Sequence, residues 1–331
     1  MVGRLTARQV TGEPRKPARP CTCRLRRGSA LWTLRGVLFR KVTLIGVGLL
    51  GGSLGLALRQ RRLAGSVHGY VRRAASVADC RQAGAVDEAT TDLAAATREA
   101  DLVVFSTPIG QMRGLAELAA PALKRGALVT DVGSVKGGVV AELEPLCAGA
   151  GAHFIGSHPM AGSEKAGVGA ARPDLFEGAV CAVTPTPQSD AAALAKIEAL
   201  WSAVGAGVLR LSPAAHDELV ARASHLPQAV AVSLASLVLD PAAAPEQARL
   251  CAGGFRDCTR IASGSPEMWR DILLANRQPV AQAIDDFIAR LRGLRDAIDR
   301  GSPEAVAQLL SSAKSRRDAW MNHRAVRSPA E

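Results

Sequence analysis

The amino-acid sequence predicts an α/β chain, with an N-terminal half built on a doubly wound parallel sheet and an all-α C-terminal half. Between Arg40 and Leu211, short β-rich runs alternate with helical patterns at βαβ spacing; after Pro213 strand patterns cease and long helical patterns replace them. A third observation is size: 331 residues allow two domains whose cores need neither metal nor disulfide staples.

The first strand, Val42 to Ile45, runs into Gly46-Val47-Gly48-Leu49-Leu50-Gly51-Gly52-Ser53 and a helical pattern reaching about Arg62. In this strand-to-helix setting GxGxxG is a dinucleotide fingerprint. Gly46 permits the tight turn, Gly48 lets a pyrophosphate approach the backbone, and Gly51 lets helix and strand pack closely. The free amides of the helix start, at Leu49 and Leu50, face the phosphates. The sheet is therefore predicted to be Rossmann-type.

The second strand, Val67 to Val71, ends 25 residues after Gly46, as a βαβ unit requires. Its end, where an acidic side chain would accept the ribose hydroxyls of NAD, reads Val71-Arg72-Arg73. Two guanidiniums standing where a 2′-phosphate would lie favour NADP over NAD, the plainer alternative being the start of a solvated helix. Further strand-like runs follow at 102–106, 127–131, 153–155, 180–184 and 208–211, with helical segments near 110–123, 136–148 and 189–203. Ser106, Thr107 and Pro108, at the end of one run, complete the expected cofactor-binding set. Beyond Pro213, helical patterns cover 216–239, 246–262, 266–298 and 303–323. The predicted organisation is a basic, disordered leader over 1–36, a dinucleotide-binding domain over 40–211, and a helical substrate and dimerisation domain over 213–323.

Charge disfavours one class of function for the body of the chain. The chain holds 41 Lys/Arg against 30 Asp/Glu, a net +11, yet residues 1–41 contribute 11 of the basic residues and one acid. The remaining body is near neutral, which argues against a nucleic-acid-binding surface. The leader resembles an organelle transit peptide in composition; an unstructured leader without its own function is the simpler reading. The longest apolar run, Val42 to Leu58, has 17 residues and five glycines, too short and too glycine-rich for a membrane span. Seven cysteines without CxxC spacing and no hydrophobic signal segment fit reduced thiols in the cytoplasm, and Cys21 and Cys23 lack partners for a metal.

Three clusters carry candidate chemistry. Thr130-Asp131-Val132-Gly133-Ser134-Val135-Lys136 ends a strand, where ligands of such sheets collect, although Ser134 also suits a helix cap. Gly156 to Glu164 holds His158 in a loop stiffened by proline and glycine, a candidate acid/base. Gly253 to Arg260 offers Arg256 and Arg260, four apart on one helical face, for bidentate carboxylate binding or merely as solvated charges.

With Ser224-His225-Leu226-Pro227-Gln228 and Met268-Trp269-Arg270-Asp271, these segments resemble, in order and spacing, the prephenate/arogenate dehydrogenases of tyrosine biosynthesis, from about Arg40 to Ala297. The resemblance implies an NAD(P)-dependent oxidative decarboxylation of prephenate to 4-hydroxyphenylpyruvate, or of arogenate to tyrosine. It implies that His158 takes the ring-hydroxyl proton, that Ser134 orients His158 and the hydroxyl, and that Arg260, with Arg256 second, binds carboxylates. His225 and Glu164 match pocket-lining positions, and the helical region implies a homodimer. One departure is Val71, where many relatives carry Asp, which leaves cofactor choice open. Other two-domain dehydrogenases use a catalytic Lys or Asp among the helices, whereas here only Lys314 follows Pro213; a non-catalytic dinucleotide sensor would not need His158, Ser134 and Arg260 together.

Overall fold

The computed structural model describes residues 36–162 and 165–325. The leader up to residue 35, with Cys21 and Cys23, and the site candidate Glu164 lie outside the described residues.

Eight strands form one sheet: β1 (Phe39–Ile45), β2 (Ala64–Tyr70), β3 (Glu88–Thr90), β4 (Leu102–Phe105), β5 (Leu128–Asp131), β6 (His153–Pro159), β7 (Val180–Thr184) and β8 (Gly207–Arg210). Their order is β3-β2-β1-β4-β5-β6-β7-β8. The chain winds outward first to one side of β1 and then to the other, so the switch point lies between β1 and β4, where Gly46 and Ser106 leave the sheet. Helices α1 (Leu49–Gln60), α2 (Ala75–Gln82), α3 (Leu93–Thr97), α4 (Ile109–Ala119), α5 (Gly137–Gly149) and α6 (Ala191–Ala203) link these strands. Two apolar clusters fill the two faces. Leu54 and Leu58 of α1 join Ile197 and Trp201 of α6 in one. Met112 and Ala116 of α4 join Val140 and Leu143 of α5 in the other.

Two features depart from the predicted parallel sheet. The strand β3, too short to show a pattern, went unseen, and β7 pairs antiparallel with β6. A parallel return needs a crossover, usually a helix packed on the sheet. Among its described residues the segment 160–179 holds no α-helix, only a 3₁₀ turn at Val168–Ala170, and the chain turns back along the same edge. With α6 as a crossover, β8 then runs parallel to β7.

The carboxyl-terminal half is helical as predicted but more broken: α7 (Pro213–Val220), α8 (Leu226–Val238), α9 (Pro245–Arg249), α10 (Gly253–Thr259), α11 (Pro266–Ala275), α12 (Arg277–Asp299) and α13 (Pro303–Ala325). Proline explains two of the breaks. Pro227 has no amide to continue the α7 ladder, and the chain widens into a π turn over Ala221–His225 before α8 starts. Pro279 cannot bond the carbonyl of residue 275, so α11 stops at Asn276 and α12 restarts with the proline in its first turn. The core of this half is small, centred on Ala221, Val280 and Ala283, while Leu237, Leu250, Leu274, Ile298 and Leu310 are exposed.

Candidate active site

The glycine loop is built as its sequence requires. Gly46 has φ +94°, and a Cβ there would lie 2.8 Å from the Ser106 carbonyl oxygen. At Gly51 a Cβ would come within 2.2 Å of the Gly46 carbonyl oxygen, so α1 can sit this close to β1 only without a side chain. Gly48 differs: a Cβ there meets no protein atom within 4 Å. It opens onto a cleft of about 1040 Å³ whose lining includes Gly46, Arg72, Arg73, Ser106, Thr107 and Pro108. The Ser106 Oγ and Thr107 Oγ1 atoms are buried at this cleft without a hydrogen-bond partner. Buried hydroxyls rarely stay unpaired, and these, with the first amides of α1 at Leu49 and Leu50, fit the phosphates and carboxamide of a dinucleotide. Arg72 and Arg73 follow β2 directly, exposed, and α2 begins only at Ala75, so they are loop residues rather than the start of a helix.

At the neighbouring sheet edge a buried polar cluster surrounds His158, near the end of β6. Asp131 closes β5, and its carboxylate accepts the Gly133 amide at 2.8 Å, the Ser157 amide at 3.1 Å and the Lys136 ammonium. Both Asp131 and Lys136 are wholly buried. Asp217 of α7 accepts the Lys136 amide at 2.7 Å and the Gly137 amide at 2.8 Å, bridging the helical half to the start of α5. His216 Nδ1 lies 2.8 Å from the same carboxylate, and His216 Nε2 lies 2.9 Å from His158 Nδ1. Burial raises the Asp217 carboxyl, but the His216 hydrogen bond and the two amides outweigh it, and its pKa falls below the ordinary value. Burial, then the neighbouring His216, Lys136 and His225, push the His158 pKa well below that of a free imidazole. The ring is therefore neutral at pH 7.

His225, buried at the end of the π turn, has its pKa lowered to about 4, chiefly by burial. Its proton can be placed by logic. Asn276 Nδ2 lies 2.8 Å from the Asp217 carbonyl oxygen, so that atom must be the donor nitrogen, and it also lies 3.1 Å from His225 Nδ1. Nδ1 is an acceptor and Nε2 carries the hydrogen. That Nε2 is buried without a partner, a donor waiting for an oxygen. The ring stands edge-on to Trp269 at 6.2 Å.

The remaining predicted residues are placed differently from expectation. His158 Nδ1 bonds His216 rather than Ser134, which is half-buried on the loop between β5 and α5. Arg256 and Arg260 are exposed, on a segment packed against α8. They do not share one helix, since α10 ends at Thr259 and Arg260 opens a 3₁₀ turn. Sequence reasoning missed His216, Asp217 and Asn276. The first two sit on the buried side of α7, and a His-Asp pair facing inward on a helix capped by Ser212 was the available signal. Lys314, the single lysine beyond Pro213, pairs with Asp318 on exposed α13. Among the described residues no cluster has the donors for a metal ion, and no helix is long and apolar enough to cross a membrane.

A dinucleotide cradle at the switch point, beside buried uncharged imidazoles roofed by helices, suits removal of a hydride and a proton from one substrate. By fold and site the chain falls among the two-domain nicotinamide-dinucleotide-dependent dehydrogenases.

Within that class, the chain belongs to the prephenate dehydrogenase family. Residues 54–210 match the nucleotide-binding domain of prephenate dehydrogenase, and residues 212–312 match its dimerization domain. Prephenate dehydrogenase of Bacillus subtilis is 34% identical over 279 residues, 84% of this chain and 75% of the relative. Cyclohexadienyl dehydrogenase of Zymomonas mobilis is 35% identical over 263 residues, 78% of this chain and 89% of the relative. The crystal structure of prephenate dehydrogenase from A. aeolicus in complex with hydroxyphenyl propionate and NAD+ has a TM-score of 0.80 at 35% identity, covering 85% of this chain and 98% of that one. Synechocystis arogenate dehydrogenase has a TM-score of 0.72 at 30% identity, covering 85% and 99%. The cofactor is thus a nicotinamide dinucleotide, and the expected family, fold class and enzyme class hold.

Proposed function

We propose that this chain catalyses the oxidative decarboxylation of prephenate to 4-hydroxyphenylpyruvate, with NADP as the favoured cofactor. The observation that carries this reading is the neutral, buried His158 at the sheet edge beside the dinucleotide cleft, together with the unpaired Nε2–H of His225. When bound, the nicotinamide ring supplies the acceptor for the hydride that leaves the hydroxyl-bearing ring carbon. His158 accepts the hydroxyl proton as that carbon becomes a carbonyl. Loss of carbon dioxide then moves an electron pair through the ring to the carbonyl oxygen, and His158 returns the proton to the resulting phenolate. The products are hydroxyphenylpyruvate, carbon dioxide and the reduced cofactor, with no net proton on the enzyme. Aromatisation drives the reaction; the protein supplies placement and a dry, polar enclosure.

In this reading His225 donates to a substrate oxygen, Arg260, with Arg256 second, binds the carboxylates, and Glu164 keeps the pocket-lining role that the family resemblance implies. Ser134 is left to orient the hydroxyl. Gly46, Gly48, Leu49, Leu50, Gly51, Ser106, Thr107 and Pro108 hold the dinucleotide. Arg72 and Arg73, with Val71 in place of an acid, favour the 2′-phosphate. The exposed leucines and Ile298 of the helical half suit burial in a homodimer. The domain limits 40–211 and 213–323, and a cytoplasmic location, remain part of the proposal. The test is reduction of NADP+ and NAD+ by the purified chain with prephenate and with arogenate. Turnover of prephenate with the lower Michaelis constant for NADP+ is expected; turnover of arogenate alone would reverse the substrate assignment.

A further inference from the structure

We propose that His216 and Asp217 are positioning residues that hold the His158 proton on Nδ1 and so leave Nε2 bare to act as the base. This deepens the reading above and rests on it for the identity of the base. Asp217 is an ionised carboxylate and only accepts, so the 2.8 Å contact with His216 Nδ1 is an N–H donated by His216. His216 Nε2 occupies His158 Nδ1, so the nitrogen that His158 offers a substrate as a base is Nε2, which has to be bare. The 2.9 Å contact to His158 Nδ1 must then run from His158 to His216. A neutral His158 that carries its proton on Nδ1 has none on Nε2.

The far end of this series of contacts is fixed as well. The Asp217 carboxylate sits on the Lys136 and Gly137 amides at the start of α5, where free N–H groups and the helix dipole favour an anion. His158 belongs to β6 and His216 to α7, so the tautomer of the base is set by the docking of the helical half onto the sheet. When His158 takes the proton, its Nδ1–H bond strengthens, and the Asp217 carboxylate offsets the charge through His216. Lys136, bound to Asp131, and His225 are the other charged or titratable neighbours of the ring, and Cys181 lies beside it on β7. Neither Lys136 nor His225 takes the Nδ1 proton: the ammonium has no lone pair, and His225 Nδ1 is engaged by Asn276.

The experiment is nitrogen NMR on the full chain labelled with ¹⁵N-histidine and saturated with NADP+, the His158 signals being assigned from the His158→Asn spectrum. Wild-type His158 is expected in the Nδ1–H form. In Asp217→Asn the side-chain NH2 has to replace an oxygen that accepts the Lys136 or Gly137 amide, the anchor of His216 is lost, and His158 should shift to a mixture of Nδ1–H and Nε2–H forms. The kcat of that variant should fall about 100-fold or more, the usual scale for a lost general base. The Michaelis constant for prephenate and the dinucleotide Kd should stay within about threefold, as for a group that acts in the transition state. Because Asp217 also caps α5, His216→Phe provides a second test that leaves those amides paired. It should lose kcat to a similar degree, and the double variant should lose little more, since the two residues act as a unit. Wild-type His158 with its proton on Nε2, or Asp217→Asn with undiminished kcat, would overturn the pair. If wild type shows the expected tautomer but does not turn over prephenate, the substrate reading fails while the pair stands. If wild type turns over and needs His158 but not Asp217, the reverse holds.

Discussion

Two glycines three residues apart should respond in opposite ways to the same methyl group. In Gly48→Ala the new Cβ meets no protein atom within 4 Å, and the backbone at φ −95° and ψ −149° does not require glycine. Folding stability should therefore change by no more than about 0.5 kcal/mol. The methyl instead enters the cleft where the pyrophosphate approaches the backbone. Losing one charge-assisted hydrogen bond there, about 1.5–3 kcal/mol, raises the dinucleotide Kd by roughly 10- to 150-fold. In Gly51→Ala the Cβ would come 2.2 Å from the Gly46 carbonyl oxygen and 2.8 Å from Ser106 Oγ. Backbone must move, so the cofactor-free protein should lose about 1–3 kcal/mol or more. Thermal unfolding without cofactor and fluorescence titration with NADPH separate the two effects. A Gly48→Ala variant that binds like wild type, or that melts as early as Gly51→Ala, would refute the cradle argument.

Other consequences follow from the same geometry. Replacing Arg72 and Arg73 together by Ala should raise the Michaelis constant for NADP+ about tenfold or more and leave that for NAD+ nearly unchanged; equal effects on both would remove the 2′-phosphate role. Lys136→Met strands the wholly buried Asp131 carboxylate with two backbone amides, and urea unfolding should register a loss of about 3 kcal/mol; a loss near zero would mean the pair contributes nothing. Stability should also fall on acidification. The pKa of His225 is about 4 in the fold, below its ordinary 6.5, so the unfolded chain binds more protons between those values. Its contribution, of order 3 kcal/mol, is fully present above pH 6.5 and is lost as pH falls toward 4. Urea midpoints of wild type and His225→Asn compared at pH 7 and pH 5 test this, and an equal drop in both would contradict it.

Much of the sheet was legible because its signals are local. Most β-rich runs pair with an immediate helical pattern, and Gly46, Gly48 and Gly51 mark the phosphate loop in the sequence itself. The β6–β7 reversal was not legible, because it depends on the connection over 160–179, whose described residues form no α-helix, rather than on the strands themselves. Helix breaks at Pro227 and Pro279 were visible as prolines, but tolerance of proline in a first turn hid which side of it the break would fall. In the site, His158 was readable from the proline and glycines around it, although it stands on β6 and not in the predicted loop. His216, Asp217 and Asn276 were not, because their role exists only when α7 and the start of α12 meet the sheet edge. Residues 58 apart that share a hydrogen bond, as His158 and His216 do, leave no mark in a single sequence.

Everything proposed for the site turns on His158 acting as the base in an oxidative decarboxylation. The direct measurement is initial-rate NADP+ reduction by the full chain with prephenate, with hydroxyphenylpyruvate and carbon dioxide quantified in the same reaction, for wild type and His158→Asn. Wild type should form all three products in equal amounts. In His158→Asn kcat should fall by about 100- to 10,000-fold with unchanged dinucleotide binding. Wild type that reduces no cofactor with prephenate, or a His158→Asn variant that turns over at the wild-type rate, would contradict it.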